Sequence, residues 1–119
     1  MNTENNWVGQ KDDGEKPRMD LVPPEAVEAM ALVFGFGAAK YGDRNWEGGM
    51  RWGRVFAAAM RHGWAWWRGE EFDPESGFPH TWHLHACTAM LVVYGARRVG
   101  EDDRPASPVK DDRQGELDV

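Results

Sequence analysis

The stretch RHGWAWWRGEEFDPESGFPHTWH, residues 61–83, decides how the chain is read. It begins inside an amphipathic helix, breaks at Gly69, passes four acids within Glu70–Glu75 and re-enters a helix after Pro79. Gly just past the last periodic residue and Pro just before the next run are stop and start signals. Upstream, Val55, Phe56, Ala59, Met60 and Trp66 recur at helical spacing, so a second helix runs from about Trp52 to Arg68. Downstream, a third continues from Pro79 to about Val99, where Gly100 stops it. Earlier still, Pro23-Pro24-Glu25 opens a first helix that ends by Tyr41-Gly42. Its face is Ala26, Met30, Val33 and Gly37, with Val27 and Phe34 beside it. No segment alternates with period two and Ile is absent, which argues against a sheet. The expected fold class is all-α: a compact bundle of about three main helices.

The length of 119 residues suits one domain. A composition of 41% hydrophobic and 29% charged residues is that of a soluble globular chain. No apolar run approaches the roughly 20 residues that span a bilayer, and Met1–Gln10 has no apolar signal core. A single cysteine, Cys87, excludes an intramolecular disulfide framework and fits a reducing cytoplasm. The expected location is cytoplasmic, with no membrane partner. A formal net charge of −6 argues against a partner of polymeric nucleic acid. That charge is uneven: residues 1–20 carry −2 and residues 101–119 carry −4, whereas 21–100 are neutral. Seven of the eight bases in that middle are Arg, the better residue for bidentate phosphate contacts. The organisation expected is an extended N-terminal arm over 1–20, a helical domain over 21–100 and a disordered acidic tail over 101–119. So small a domain has a small core, and six of its seven tryptophans lie between Trp46 and Trp82. Some should serve an interface between subunits, giving a homo-oligomer, dimer or tetramer.

All four histidines fall between His62 and His85. His80 and His83 are three apart, share one helix face and continue into the stripe Cys87, Met90, Leu91, Tyr94. His62 lies on the stripe of Val55, Ala59 and Trp66, so it reaches the same inter-helix space; His85 lies on another face. Inward imidazoles meeting loop carboxylates make a metal-site pattern, in which carboxylates suit Mg²⁺ or Mn²⁺ and histidines shift the balance toward Mn²⁺ or Zn²⁺. The same residues also fit a hydrogen-bonded core pair and a solvated turn around Asp73-Pro74. Candidate ligands are Glu70, Asp73, Glu75, His80, His83 and His62, of which Glu70, Asp73 and Glu75 are also candidate catalytic carboxylates. Lys40 and Arg44 could hold phosphate, and Asn45-Trp46 could meet a sugar or base, although a packed turn explains the same residues. Lys16 and Arg18 place two cations in the arm, either a flexible leader or a lid over an anion. No phosphate-binding glycine loop, nucleophile elbow or adjacent His-Asp pair occurs.

Taken together, GEKPRMDLVPPEAV, FGAAKYGDRNW, AAAMRH, the GE–DPESG–PH–H series and the following apolar helix resemble a phage family. It is the dATP/dGTP diphosphohydrolase N-terminal family, grouped with the MazG-like all-α NTP pyrophosphatases, and the likeness covers about residues 10–98. The resemblance implies a bundle of MazG-like type completed by oligomerisation. It implies a Mg²⁺- or Mn²⁺-dependent enzyme that converts a purine deoxynucleoside triphosphate, dGTP or dATP, to the monophosphate and pyrophosphate in the host cytoplasm. In phages that replace adenine with 2-aminoadenine, such enzymes supply dGMP to a purine-modifying synthetase. Arg18, Lys40 and Arg61 would then neutralise the leaving pyrophosphate. MazG-like enzymes carry an ExxE helix followed by an ExxD helix, whereas this chain offers His62 on its second helix and His80 and His83 on its third. Either histidines replace some carboxylates or the ligands come from the DPESG loop. Two other readings compete: a non-catalytic helical interaction protein using its Trp-rich face, and a structural zinc site.

Overall fold

The computed structural model describes residues 7–107. It forms three α-helices, α1 (Pro24–Tyr41), α2 (Trp52–Trp67) and α3 (His80–Arg97), with 3-10 turns at Met19–Leu21 and Asn45–Gly48. No strand occurs among the described residues, only isolated backbone bridges between Arg51 and Glu101 and between Phe72 and Pro79. The fold is all-α. None of these helices is long and apolar enough to cross a membrane.

The ends of α1 and α2 follow local chemistry. Pro24 stands at the start of α1, where a missing N–H costs nothing, and Glu25 and Lys40 oppose the partial charges of its two ends. Gly42, at φ 101°, ends it. Gly69, at φ 103°, ends α2; its N–H bonds Trp66 O at 2.9 Å while that of Glu70 reaches back to Ala65 O at 2.9 Å. The end of α3 departs from the sequence reading. The helix stops at Arg97, and Arg98 itself takes the left-handed conformation at φ 57°.

α3 is the middle element, with α2 along one side and α1 on another. Val55 and Ala59 of α2 and Ala86 and Tyr94 of α3 are the buried apolar side chains among the described residues. Tyr94 is the anchor: its hydroxyl donates to Trp46 O at 2.6 Å. The Trp46 ring stacks on Phe34 of α1 with centroids 5.1 Å apart. One aromatic thereby plugs the α1–α2 connection onto both α1 and α3.

The segment expected to be loose from Glu101 is ordered and docked as far as Ser107. Trp52 N–H donates to Glu101 O at 2.9 Å, and Glu101 N–H donates to Met50 O at 3.2 Å. Asp103 Oδ1 accepts the N–H of Gly53 at 2.7 Å. Arg51 offers no side-chain cap to α2, so Asp103, fifty residues later, satisfies one of the free N–H groups of its first turn. Polar composition misled here because the segment is held by backbone pairing and capping rather than by apolar burial. Residues 108–119 of the expected tail lie outside the described residues.

Candidate functional site

The acidic loop is folded by its own hydrogen bonds. Asp73 N–H donates to Phe78 O and Gly77 N–H to Asp73 O, both at 2.8 Å, and His80 N–H reaches Glu71 O at 2.9 Å. Asp73 Oδ2 accepts the N–H of Ser76 at 2.8 Å and its hydroxyl at 2.9 Å. This is an Asx turn, and it turns the Asp73 carboxylate inward toward the helices. The turn and the inward site are thus one structure.

Three imidazoles meet that carboxylate. His62 of α2 and His83 of α3 stack face to face, with centroids 4.5 Å apart and planes 9° apart. His62 Nδ1 lies 2.8 Å from His80 Nδ1, and His80, buried at 4% exposure, donates from Nε2 to Glu70 Oε2 at 2.6 Å. His83 Nε2 is 2.6 Å from Ser76 Oγ and 3.7 Å from Asp73 Oδ2. Phe36 of α1 and Phe78 of the loop close around His83 at 6.2 and 6.1 Å. α1 therefore walls the site, and α2, α3 and the loop supply its polar groups.

Burial within this wall pushes His62 and His83 below their ordinary values. Neighbouring imidazoles, and Arg61 in the case of His62, push the same way, against the attraction of Asp73. Burial alone would raise the Asp73 carboxyl, but the two Ser76 hydrogen bonds and the histidines outweigh it and hold the carboxyl low. Neutral imidazole and ionised carboxylate are the ligating forms of these groups. His62, Asp73 and His80 each offer a ligand atom, and these lie within 4.8 Å of one another. Glu70 on the far nitrogen of His80 is the kind of outer partner that orients a ligating histidine. The donor set fits a divalent cation.

Other candidates are placed elsewhere. Glu75 pairs with Lys40 of α1 and acts on His83 through its charge, while the carboxylate grouped with His62 and His80 is that of Asp73. Trp46 is taken up by Phe34 and Tyr94; the packed-turn reading accounts for it, and Asn45 is exposed beside it. Arg18 forms a bidentate pair with Asp20 at 2.8 Å on the exposed arm, next to Lys16. Arg61 is exposed on α2, adjacent in sequence to His62. His85, set apart from the others, bonds Ala26 O at 2.9 Å and ties α3 to α1. Ser76 is the member that sequence reasoning missed. Its signal was the Asp-Pro-x-Ser spacing, which places a hydroxyl back on the aspartate.

Over residues 6–104 the sequence matches the family model described as dATP/dGTP diphosphohydrolase, N-terminal. The chain belongs to this family. A dATP/dGTP diphosphohydrolase of Salmonella phage PMBT28 is 31% identical over 99 residues, which is 82% of this chain and 33% of that protein. The diphosphohydrolase N-terminal match thus spans about a third of the relative's length. No solved structure matches the chain.

Proposed function

We propose that this diphosphohydrolase-family chain hydrolyses a purine deoxynucleoside triphosphate, dGTP or dATP, to its monophosphate and pyrophosphate with a divalent cation. The observation that carries the reading is the inward cluster of His62, His80 and Asp73, backed by Glu70, in a chain of this family. His62, His80 and Asp73 would hold the cation, with His83 beside them; two nitrogen donors favour Mn²⁺ over Mg²⁺. When bound, the cation neutralises phosphate charge and acidifies a water. Glu70 is half-exposed, and its Oε1 is not the oxygen bonded to His80. That oxygen takes the proton of the attacking water as it adds in line to the α-phosphorus, and the bond to the bridging oxygen of pyrophosphate breaks. The Asx turn holds Asp73 in place, and the aromatic wall excludes competing water from His83.

The exposed apolar face of α2 supports a homo-oligomer. In a phage that makes 2-aminoadenine DNA, the product dGMP would feed the purine-modifying synthetase. The test is incubation with each dNTP with and without Mn²⁺, resolving the products. We expect pyrophosphate with dGMP or dAMP, dependent on the cation; no monophosphate from either purine triphosphate would overturn the reading.

A further inference from the structure

Ser76, in the loop between α2 and α3, has a hydroxyl whose hydrogen-bonding capacity is filled. Its Oγ lies 2.9 Å from Asp73 Oδ2, 2.6 Å from His83 Nε2 and 3.1 Å from the backbone nitrogen of Phe78. A serine hydroxyl has one proton to give and two lone pairs to fill. The N–H of Phe78 fills one of them. The ionised Asp73 carboxylate has only lone pairs to offer, so the hydroxyl proton goes to Oδ2. Were it turned to His83 instead, two bare oxygen acceptors would face each other at 2.9 Å. His83 Nε2 is therefore a donor, in the neutral ring and in the imidazolium alike. The bonds run one way, from His83 Nε2–H to Ser76 Oγ and from Ser76 Oγ–H to Asp73 Oδ2.

This polarity sorts the cluster. A nitrogen that carries a proton cannot ligate, so His83 is withheld through the nitrogen 3.7 Å from Asp73, and the group of convergent ligand atoms is His62, Asp73 and His80 without it. Asp73 Oδ2 already accepts both the N–H and the hydroxyl of Ser76. Oδ1 accepts no hydrogen bond among the described residues, which leaves it as the oxygen for a cation. Glu70 orients His80, whereas no carboxylate among the described residues bonds the His62 ring. That ring lies flat on His83 instead, 4.5 Å between centroids and 9° between planes.

We propose that Ser76 is the positioning residue of this centre: its hydroxyl orients Asp73 directly and His62 through the ring of His83, which shapes the centre without ligating the cation. Ser76 is to Asp73 what Glu70 is to His80, the outer partner that fixes a ligand's direction. This role presupposes the cation site of the diphosphohydrolase reading and assigns its ligands and their supports.

The first measurement needs no variant. In ¹H–¹⁵N NMR of the full chain in EDTA, His83 should show its proton on Nε2, slowed in exchange by the bond to Ser76. An unprotonated Nε2 overturns the proposal. The slowly exchanging signal should vanish in Ser76→Ala, and its persistence there would mean that another group holds the ring. The second measurement is titration with Mn²⁺ alone, followed by the electron paramagnetic resonance of the free ion. Ser76→Ala should weaken Mn²⁺ by about 10–100-fold, the range for loss of an outer partner, with helix content unchanged by circular dichroism. His83→Phe keeps a flat ring against His62 and removes both nitrogens; it should lose less than about tenfold, below that range. Wild-type affinity in Ser76→Ala, a larger loss in His83→Phe, or no Mn²⁺ bound by the wild type overturns the proposal. If the titrations come out as expected and no monophosphate forms from either purine triphosphate, the positioning role stands and the hydrolase reading falls. Mn²⁺-dependent hydrolysis with the affinity of Ser76→Ala unchanged does the reverse.

Discussion

Glu70 and Asp102 show how differently two carboxylates act in one chain. Glu70 leaves its side chain 54% exposed yet bonds the buried ring of His80 at 2.6 Å. Glu70→Gln keeps the shape but loses the carboxylate that orients the imidazole and takes the proton. Activity should fall by about 100-fold or more, the low end for loss of a general base, with helix content by circular dichroism unchanged; wild-type rates would remove Glu70 from the site. Asp102, at 5% exposure, is held well below its ordinary range. The Arg104 guanidinium does most of this at 2.8 and 2.7 Å, and the Ser107 hydroxyl adds to it, against the opposing effect of burial. Because its folded pKa lies below the unfolded value of about 3.9, its stabilisation is complete above that pH. It is lost as pH falls from there through the folded pKa. The gap in Tm between wild type and Asp102→Asn should therefore be constant above about pH 5 and close as the solution is acidified below about 3.9. A gap that widens in acid would contradict the ion pair.

The elements were legible where a single local signal decides them. Pro23-Pro24, Gly42, Gly69 and Pro79 set the ends of α1, the end of α2 and the start of α3, because each acts through its own backbone. What spans distance was not legible. The Lys40–Glu75 pair joins residues 35 apart, and neither carries a mark of its partner. Gly100 was read as a helix stop, yet its work is close approach: a Cβ there would lie 2.3 Å from Met50 O, and its φ is +84°. Gly100→Ala should therefore cost about 1–3 kcal/mol through backbone strain, with no direct contact to the histidines. Asp103→Ala should cost about 1 kcal/mol by leaving the first turn of α2 uncapped. Both are read as lower midpoints in urea with unchanged slope. Midpoints within error of wild type would mean that residues 101–107 do not brace α2.

At the scale of the whole molecule the described chain is short of interior. Its buried apolar side chains are Val55, Ala59, Ala86 and Tyr94, whereas Phe56, Met60, Trp64 and Trp67 of α2 are 38–72% exposed. These four recur at intervals of four, four and three residues, so they form one stripe on the side of α2 away from its buried face. An apolar stripe of this kind on a monomer marks an interaction surface, and Trp, Phe and Met are the residues that subunit interfaces favour. Self-association by a two-fold axis would set the stripe against its own copy, since such an interface uses the same patch twice. Phe56 and Trp67 are the decisive members because they stand at the two ends of the stripe. In sedimentation equilibrium the wild type should exceed the monomer mass. A Phe56→Glu, Trp67→Glu double variant should shift toward monomer, with carboxylates repelling across the axis where aromatic rings met. Its Tm should become lower and independent of protein concentration, because stability tied to assembly depends on concentration by mass action. A wild type that sediments as a monomer at tens of micromolar would leave the stripe to a different partner. The short interior would then have to suffice for one chain.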